Sequence, residues 1–130
     1  KGAELLARWQ QGDEVVPPAR FIPVIEACGW STELTLQMLQ QGLQQWQQWA
    51  RRGLRLPMSI NLSALSMNGD ELVGRIEQQV AHSKVPPRYI IFEITETAVA
   101  DNLAAAMGVA ARRPWLTSCC WICSERISPM

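Results

Sequence analysis

The 130-residue chain has no excess of charge, because twelve lysines and arginines balance twelve aspartates and glutamates. With no global field to steer it toward polymeric nucleic acid or an anionic membrane, any anionic ligand must be held by local groups. It also lacks an apolar run near the ~18 residues that a membrane-spanning helix needs. Its first residues read as a strand rather than a charged segment followed by an apolar one, so a cytoplasmic location is expected. Cysteine is nearly missing from the body: Cys28 stands alone, while Cys119, Cys120 and Cys123 crowd the last twelve residues, which is no disulfide framework. The single histidine, His82, has no Cys or His partner nearby and reads as a surface residue. What the chain does have is 48% hydrophobic residues, enough for the packed core of one domain or of part of a larger one.

Three apolar alternations read as strands. In "AELLAR", Ala3, Leu5 and Ala7 point one way while Glu4, Leu6 and Arg8 point the other, as a period of two requires. "LPMSINLS" divides Met58, Ile60 and Leu62 from Ser59, Asn61 and Ser63, and "RYIIFEIT" divides Ile90, Phe92 and Ile94 from Tyr89, Ile91, Glu93 and Thr95. Between the first two, "QQGDEVVPPAR" reads as a loop whose Pro17 and Pro18 open a short helix through Phe21, Val24 and Ile25, closed by Gly29. Ser31 or Thr32 is expected to cap a long helix with Glu33 in its first turn and a buried stripe of Leu36, Leu39, Leu43, Trp46 and Ala50. The glutamines crowding its other positions form a solvated face, and Trp46 and Trp49 read as helix packing and its edge rather than a base-stacking platform. A second helix follows Asn68 or Asp70, and Asp101 opens a third through Leu103 and Met107. Strands alternating with helices predict an α/β fold with parallel strands and right-handed crossovers.

Each strand pairs an apolar face with one that carries Glu4 and Arg8, or Asn61, or Glu93. Side by side in a parallel barrel, these polar faces would meet in the interior near the mouth, where barrel enzymes place their sites. Two carboxylates and a carboxamide together need a positive partner, and hard oxygen donors suit Mg²⁺ or Mn²⁺. Arg8, one strand step outward, suits a phosphate. Glu26 reads as a solvated carboxylate.

In these motifs the chain resembles the N-terminal part of an EAL domain, the bacterial family that hydrolyses cyclic di-GMP. Its opening Glu-x-Leu-x-Arg signature is matched by Glu4, Leu6 and Arg8, with Leu5 where the family carries its eponymous alanine. "VPPARFIPVIEACG" is similar to the family's proline-containing loop and helix; Asn61, Leu62 and Ser63 to its "NLS" strand; and Glu93, Ile94, Thr95 and Glu96 to its Glu-x-Thr-Glu strand end. The resemblance implies a partial (β/α)8 barrel of about three parallel strands over residues 1–111. It implies that Glu4, Asn61 and Glu93 are metal ligands, that Arg8 holds a phosphate, that Leu6 lines the nucleotide groove and that Glu96 fixes a loop. The implied chemistry opens cyclic di-GMP to linear pGpG with two Mg²⁺ or Mn²⁺ ions.

Beyond Asp101 there is no aspartate, and beyond Lys84 no lysine, so the family's later Asp-Asp strand has no counterpart. Residues 112–130, "RPWLTSCCWICSERISPM" from Arg113 on, read as a non-family tail with no helix or strand period, as a frameshift near Arg112 or Arg113 would produce; a divergent, shortened protein is the alternative. "CCWIC" has no second Cys/His pair to complete a structural zinc site. The expected outcome is a phosphodiesterase domain inactive as written, or alternatively a degenerate module that binds cyclic di-GMP or a protein without catalysis. An open half-barrel exposing Leu6, Ile91 and the tail tryptophans is expected to associate as a homo-oligomer.

Overall fold

The computed structural model describes residues 2–63, 71–95 and 120–124. From the N-terminus the elements are β1 (Ala3–Leu5), β2 (Trp9–Gln11), β3 (Glu14–Val16), α1 (Pro18–Ala27), α2 (Ser31–Arg51), β4 (Met58–Ser63), α3 (Glu71–Ser83), a single 3-10 turn (Pro87–Tyr89), β5 (Ile90–Thr95) and β6 (Cys120–Ser124). The expected caps at Asn68 or Asp70, the helix from Asp101 through Met107, Glu96 and the tail tryptophan Trp115 lie outside the described residues.

Parallel pairing in the order β1-β4-β5-β6 makes one sheet. Alternation in β4 and β5 puts Met58, Ile60, Leu62, Ile90 and Phe92 on one face, all buried under α2 and α3. Helix α2 supplies the predicted stripe of Leu36, Leu39, Leu43 and Trp46, with Ala50 at its margin, and α3 supplies Leu72, Val73, Ile76 and Val80. Trp46 is a packing residue: its indole Nε1 donates to the Leu56 carbonyl at 3.0 Å, and its ring lies 5.1 Å from that of Tyr89. His82 and Glu26 are exposed, as expected.

The predicted glycine stops are present. After α1, Gly29 adopts φ +73°, the Trp30 amide donates to the Ile25 carbonyl and the Gly29 amide to that of Glu26, a Schellman closure. Gly53, at φ +81°, closes α2 through the same pair of bonds from Leu54 to Trp49 and from Gly53 to Ala50.

Four local expectations are corrected. The first strand stops at Leu5, so Leu6 and Arg8 lie beyond it rather than on its inward face. The stretch read as a loop contains an antiparallel hairpin, β2 with β3, turning at Gly12 and Asp13; Gly12 alone of the two has positive φ, the pattern of a II′ turn. This hairpin rests on α1 through an edge-to-face contact of Trp9 with Phe21 at 6.1 Å. Helix α2 is not capped by Ser31 or Thr32: the tight link after Gly29 makes Trp30 the cap, its carbonyl accepting from the Leu34 amide without a side-chain bond. Finally, Cys120–Ser124, in the stretch read as lacking a strand period, pair with β5 and add a fourth parallel strand.

Candidate functional site

Register decides which polar side chains share the face opposite the helices. Glu4 lies beside Ser59, Ser59 beside Ile91, and Asn61 beside Glu93. In a parallel sheet, register partners project to the same side, so Glu4, Ser59, Asn61 and Glu93 occupy the face that a closed barrel would turn inward. Glu4 is one pleat step lower than Asn61, yet the two meet: the Asn61 Nδ2 amide donates to Glu4 Oε1 at 3.3 Å. Glu93, half-buried, sits on the far side of Asn61. Two of the three predicted ligands are thus in direct contact and the third is the register neighbour of one of them.

Leu6 and Arg8 are placed differently. Past the end of β1 the chain turns toward the hairpin, so Leu6 is half exposed and the Arg8 Nη1 donates to the adjacent Ala7 carbonyl at 3.0 Å. Its guanidinium has further donors in a planar fork, which suits an incoming oxyanion. The ion pairs of the described residues lie elsewhere, Arg20 with Glu14 at 3.2 Å and Arg75 with Glu33 at 3.1 Å, the latter tying α3 to α2; both are exposed and add little stability.

The donor set fits a hard divalent cation in kind: carboxylates from Glu4 and Glu93 and the amide oxygen of Asn61, which becomes available if the carboxamide turns over. Among the described residues no group of three His, Cys, Asp or Glu side chains converges. On the next strand, the register position beside Glu93 belongs to Ile122, and β6 carries no carboxylate.

Sequence reasoning passed over Gly42. It is buried in the middle of α2, and a Cβ at that position would overlap the Cδ1 methyl of Leu5 on β1. A lone glycine inside a strongly periodic helix was the available signal.

The family model for the EAL domain matches residues 1–114. Among curated proteins, the chain is 33% identical over 106 residues to the probable cyclic di-GMP phosphodiesterase PdeB of Escherichia coli (strain K12), covering 81% of this chain and 20% of that protein. It is 30% identical over 107 residues to the cyclic di-GMP phosphodiesterase RocR of Pseudomonas aeruginosa, covering 82% of this chain and 27% of that one. Among solved structures, the PaMucR phosphodiesterase in complex with c-di-GMP superposes with a TM-score of 0.77 at 24% identity, over 90% of this chain and 47% of that one. The FimX EAL domain from Pseudomonas aeruginosa bound to c-di-GMP superposes with a TM-score of 0.73 at 17% identity, over 94% and 48%. The chain therefore has the fold of a partial barrel and spans about half of the solved domains and about a quarter or less of these two curated relatives.

Proposed function

Because the chain belongs to the EAL domain family, we propose that it forms the N-terminal half of a cytoplasmic cyclic di-GMP site at the C-terminal ends of β1, β4 and β5. The observation that carries this reading is the 3.3 Å contact between Asn61 and Glu4, with Glu93 beside Asn61 on the same face. Asn61 orients the Glu4 carboxylate, and Glu93 supplies a second carboxylate across it. Mg²⁺ or Mn²⁺ held by Glu4, Asn61 and Glu93 would supply Lewis acidity at the phosphorus centre and a water of lowered pKa. Arg8 offers its free guanidinium N–H groups to a ligand phosphate, and Leu6 gives the nucleotide an apolar surface.

Hydrolysis to pGpG also needs acidic groups from across the mouth. With no aspartate after Asp101 and Ile122 beside Glu93, the 130 residues by themselves are inactive. We place the family portion at residues 1–111 and read 112–130 as the product of a shifted frame; the coding DNA should yield Asp-Asp-Phe-Gly-Thr-Gly or a close variant when the frame is moved near Arg112. The half-exposed Leu6 favours self-association into a homo-oligomer.

Calorimetry with cyclic di-GMP and Mn²⁺, alongside chromatography of the nucleotide, tests the proposal. Weak binding heat that Arg8→Ala removes, without pGpG, is the expected result. Turnover by this chain that Glu4→Ala abolishes would overturn the inactivity; no heat at up to millimolar protein would leave a scaffold only. That Glu4, Leu6 and Arg8 are all retained favours the second reading, a module that binds cyclic di-GMP without catalysis.

A further inference from the structure

We infer that Gly42 is a positioning residue for the Glu4 carboxylate, acting through Leu5; this rests on the reading of Glu4 and Asn61 as site residues. Strand β1 is three residues long, and β4 is its sheet neighbour. Of its side chains, Ala3 is small and Glu4 points to the opposite face, which leaves Leu5 as its contact with the core. That contact is made on Gly42, where a Cβ would overlap Leu5 Cδ1 and stand 3.4 Å from both Leu5 Cγ and Leu5 Cδ2. Glycine is a poor occupant of a helix interior, and here it is buried rather than at an end, so the helix gives up propensity at this turn. The Leu5 side chain is what needs the room.

The consequence reaches the site because Leu5 follows Glu4 on a strand with no second anchor of comparable size. At 3.3 Å the Asn61 to Glu4 contact is already beyond the usual 2.7–3.2 Å range, so a displacement of β1 by a few tenths of an ångström separates the pair. A methyl on Gly42 can be relieved only if the Leu5 side chain turns out of its seat or β1 lifts from α2. Either event loosens the seat of β1, the strand that carries Glu4. Leucine at position 5 and glycine at position 42 are therefore one unit; alanine at both would remove the Cδ1 methyl that a Cβ at position 42 meets, together with the anchor it belongs to.

The test follows the Asn61 side-chain amide in nitrogen–proton correlation spectra of the full 130-residue chain, with Glu4→Ala giving the resonance position of an uncontacted amide. Gly42→Ala should move the Asn61 amide toward that position. Leu5→Ala should move it as well, by removing the anchor, and in that background Gly42→Ala should move it no further, since the Cδ1 methyl that the new Cβ would meet is gone. Gly53→Ala, which destabilises the end of the same helix at a site where a Cβ meets nothing within 4 Å, should lower the urea midpoint and leave the Asn61 amide in place. If Gly42→Ala leaves the amide unmoved, or if Gly53→Ala moves it equally, the positioning role is refuted. Should Gly42→Ala fail to fold, Leu5→Ala decides alone: an Asn61 amide at the native position in that variant refutes the role. No nucleotide or metal enters the measurement, so its failure leaves the cyclic di-GMP reading intact, and absence of nucleotide binding leaves this result intact.

Discussion

Replacing Asn61 by aspartate tests the geometry of the site through charge. In the native chain the Asn61 amide donates to Glu4 Oε1 at 3.3 Å; in Asn61→Asp the donor becomes a second carboxylate at about the same separation. Two like charges ~4 Å apart repel by about 1 kcal/mol in water-like surroundings, and the exposure of Glu4 keeps the value near that lower limit rather than the several kcal/mol of a buried pair. Loss of the hydrogen bond adds about 0.5–1.5 kcal/mol. The sum, about 1.5–2.5 kcal/mol, corresponds to a urea midpoint lower by about 1 M for a slope of ~2 kcal/mol per molar. The sign with pH follows from proton binding: crowded carboxylates in the folded variant take up a proton more readily than the same groups in the unfolded chain. The variant's deficit is therefore full at about pH 7 and shrinks as pH falls through ~4, where carboxylates of ordinary pKa protonate. Millimolar Mn²⁺ should raise the variant's midpoint more than that of the native chain, since a cation between the carboxylates removes their repulsion. Urea titrations at both pH values, each with and without Mn²⁺, read all of this. Equal midpoints at neutral pH would refute the contact, and a deficit undiminished in acid would refute its electrostatic origin.

Further perturbations probe the scaffold. Gly53→Ala puts an L side chain at φ +81° in open space, so the cost is conformational strain alone, about 1–2 kcal/mol less a partial offset from the stiffened unfolded chain; a thermal midpoint within a degree of the native value would contradict the left-handed closure of α2. Trp46→Phe keeps a ring against Tyr89 but strands the Leu56 carbonyl, with an expected loss of about 2–3 kcal/mol by chemical denaturation; a loss below ~0.5 kcal/mol would show that the indole bond does not tie α2 to the approach to β4. Phe92→Ala, at a side chain 1% exposed between the sheet and its helices, should cost about 3–5 kcal/mol and leave little folded chain at 37 °C, measurable as lost far-ultraviolet ellipticity and early proteolysis; a cooperative transition near the native midpoint would place Phe92 outside the core.

Local chemistry in the sequence was enough for helices α1, α2 and α3 and for the sheet faces, and it singled out Glu4, Asn61 and Glu93, which the register puts on one face. The spacing of Leu36, Leu39, Leu43 and Trp46 admits a single buried stripe, alternation in β4 and β5 leaves one apolar face, and Gly29 and Gly53 stop helices because a residue without Cβ enters the left-handed region freely. The ordered Glu-x-Leu-x-Arg, Asn-Leu-Ser and Glu-x-Thr-Glu motifs marked the family for a similar reason, since each is a short run contiguous in the sequence. Tertiary structure decided the rest. Where β1 ends depends on how far β4 accompanies it, which left Leu6 and Arg8 outside the strand. Trp30 became the cap of α2 because the closure of α1 and the start of α2 share that residue. The meeting of Asn61 with Glu4, the neighbourhood of Glu93 and Ile122, and the seating of Leu5 on Gly42 all join residues far apart in the chain. Periodicity states which face a side chain takes, but the distance between two such faces is set by sheet register and helix packing, and neither is contained in any one segment.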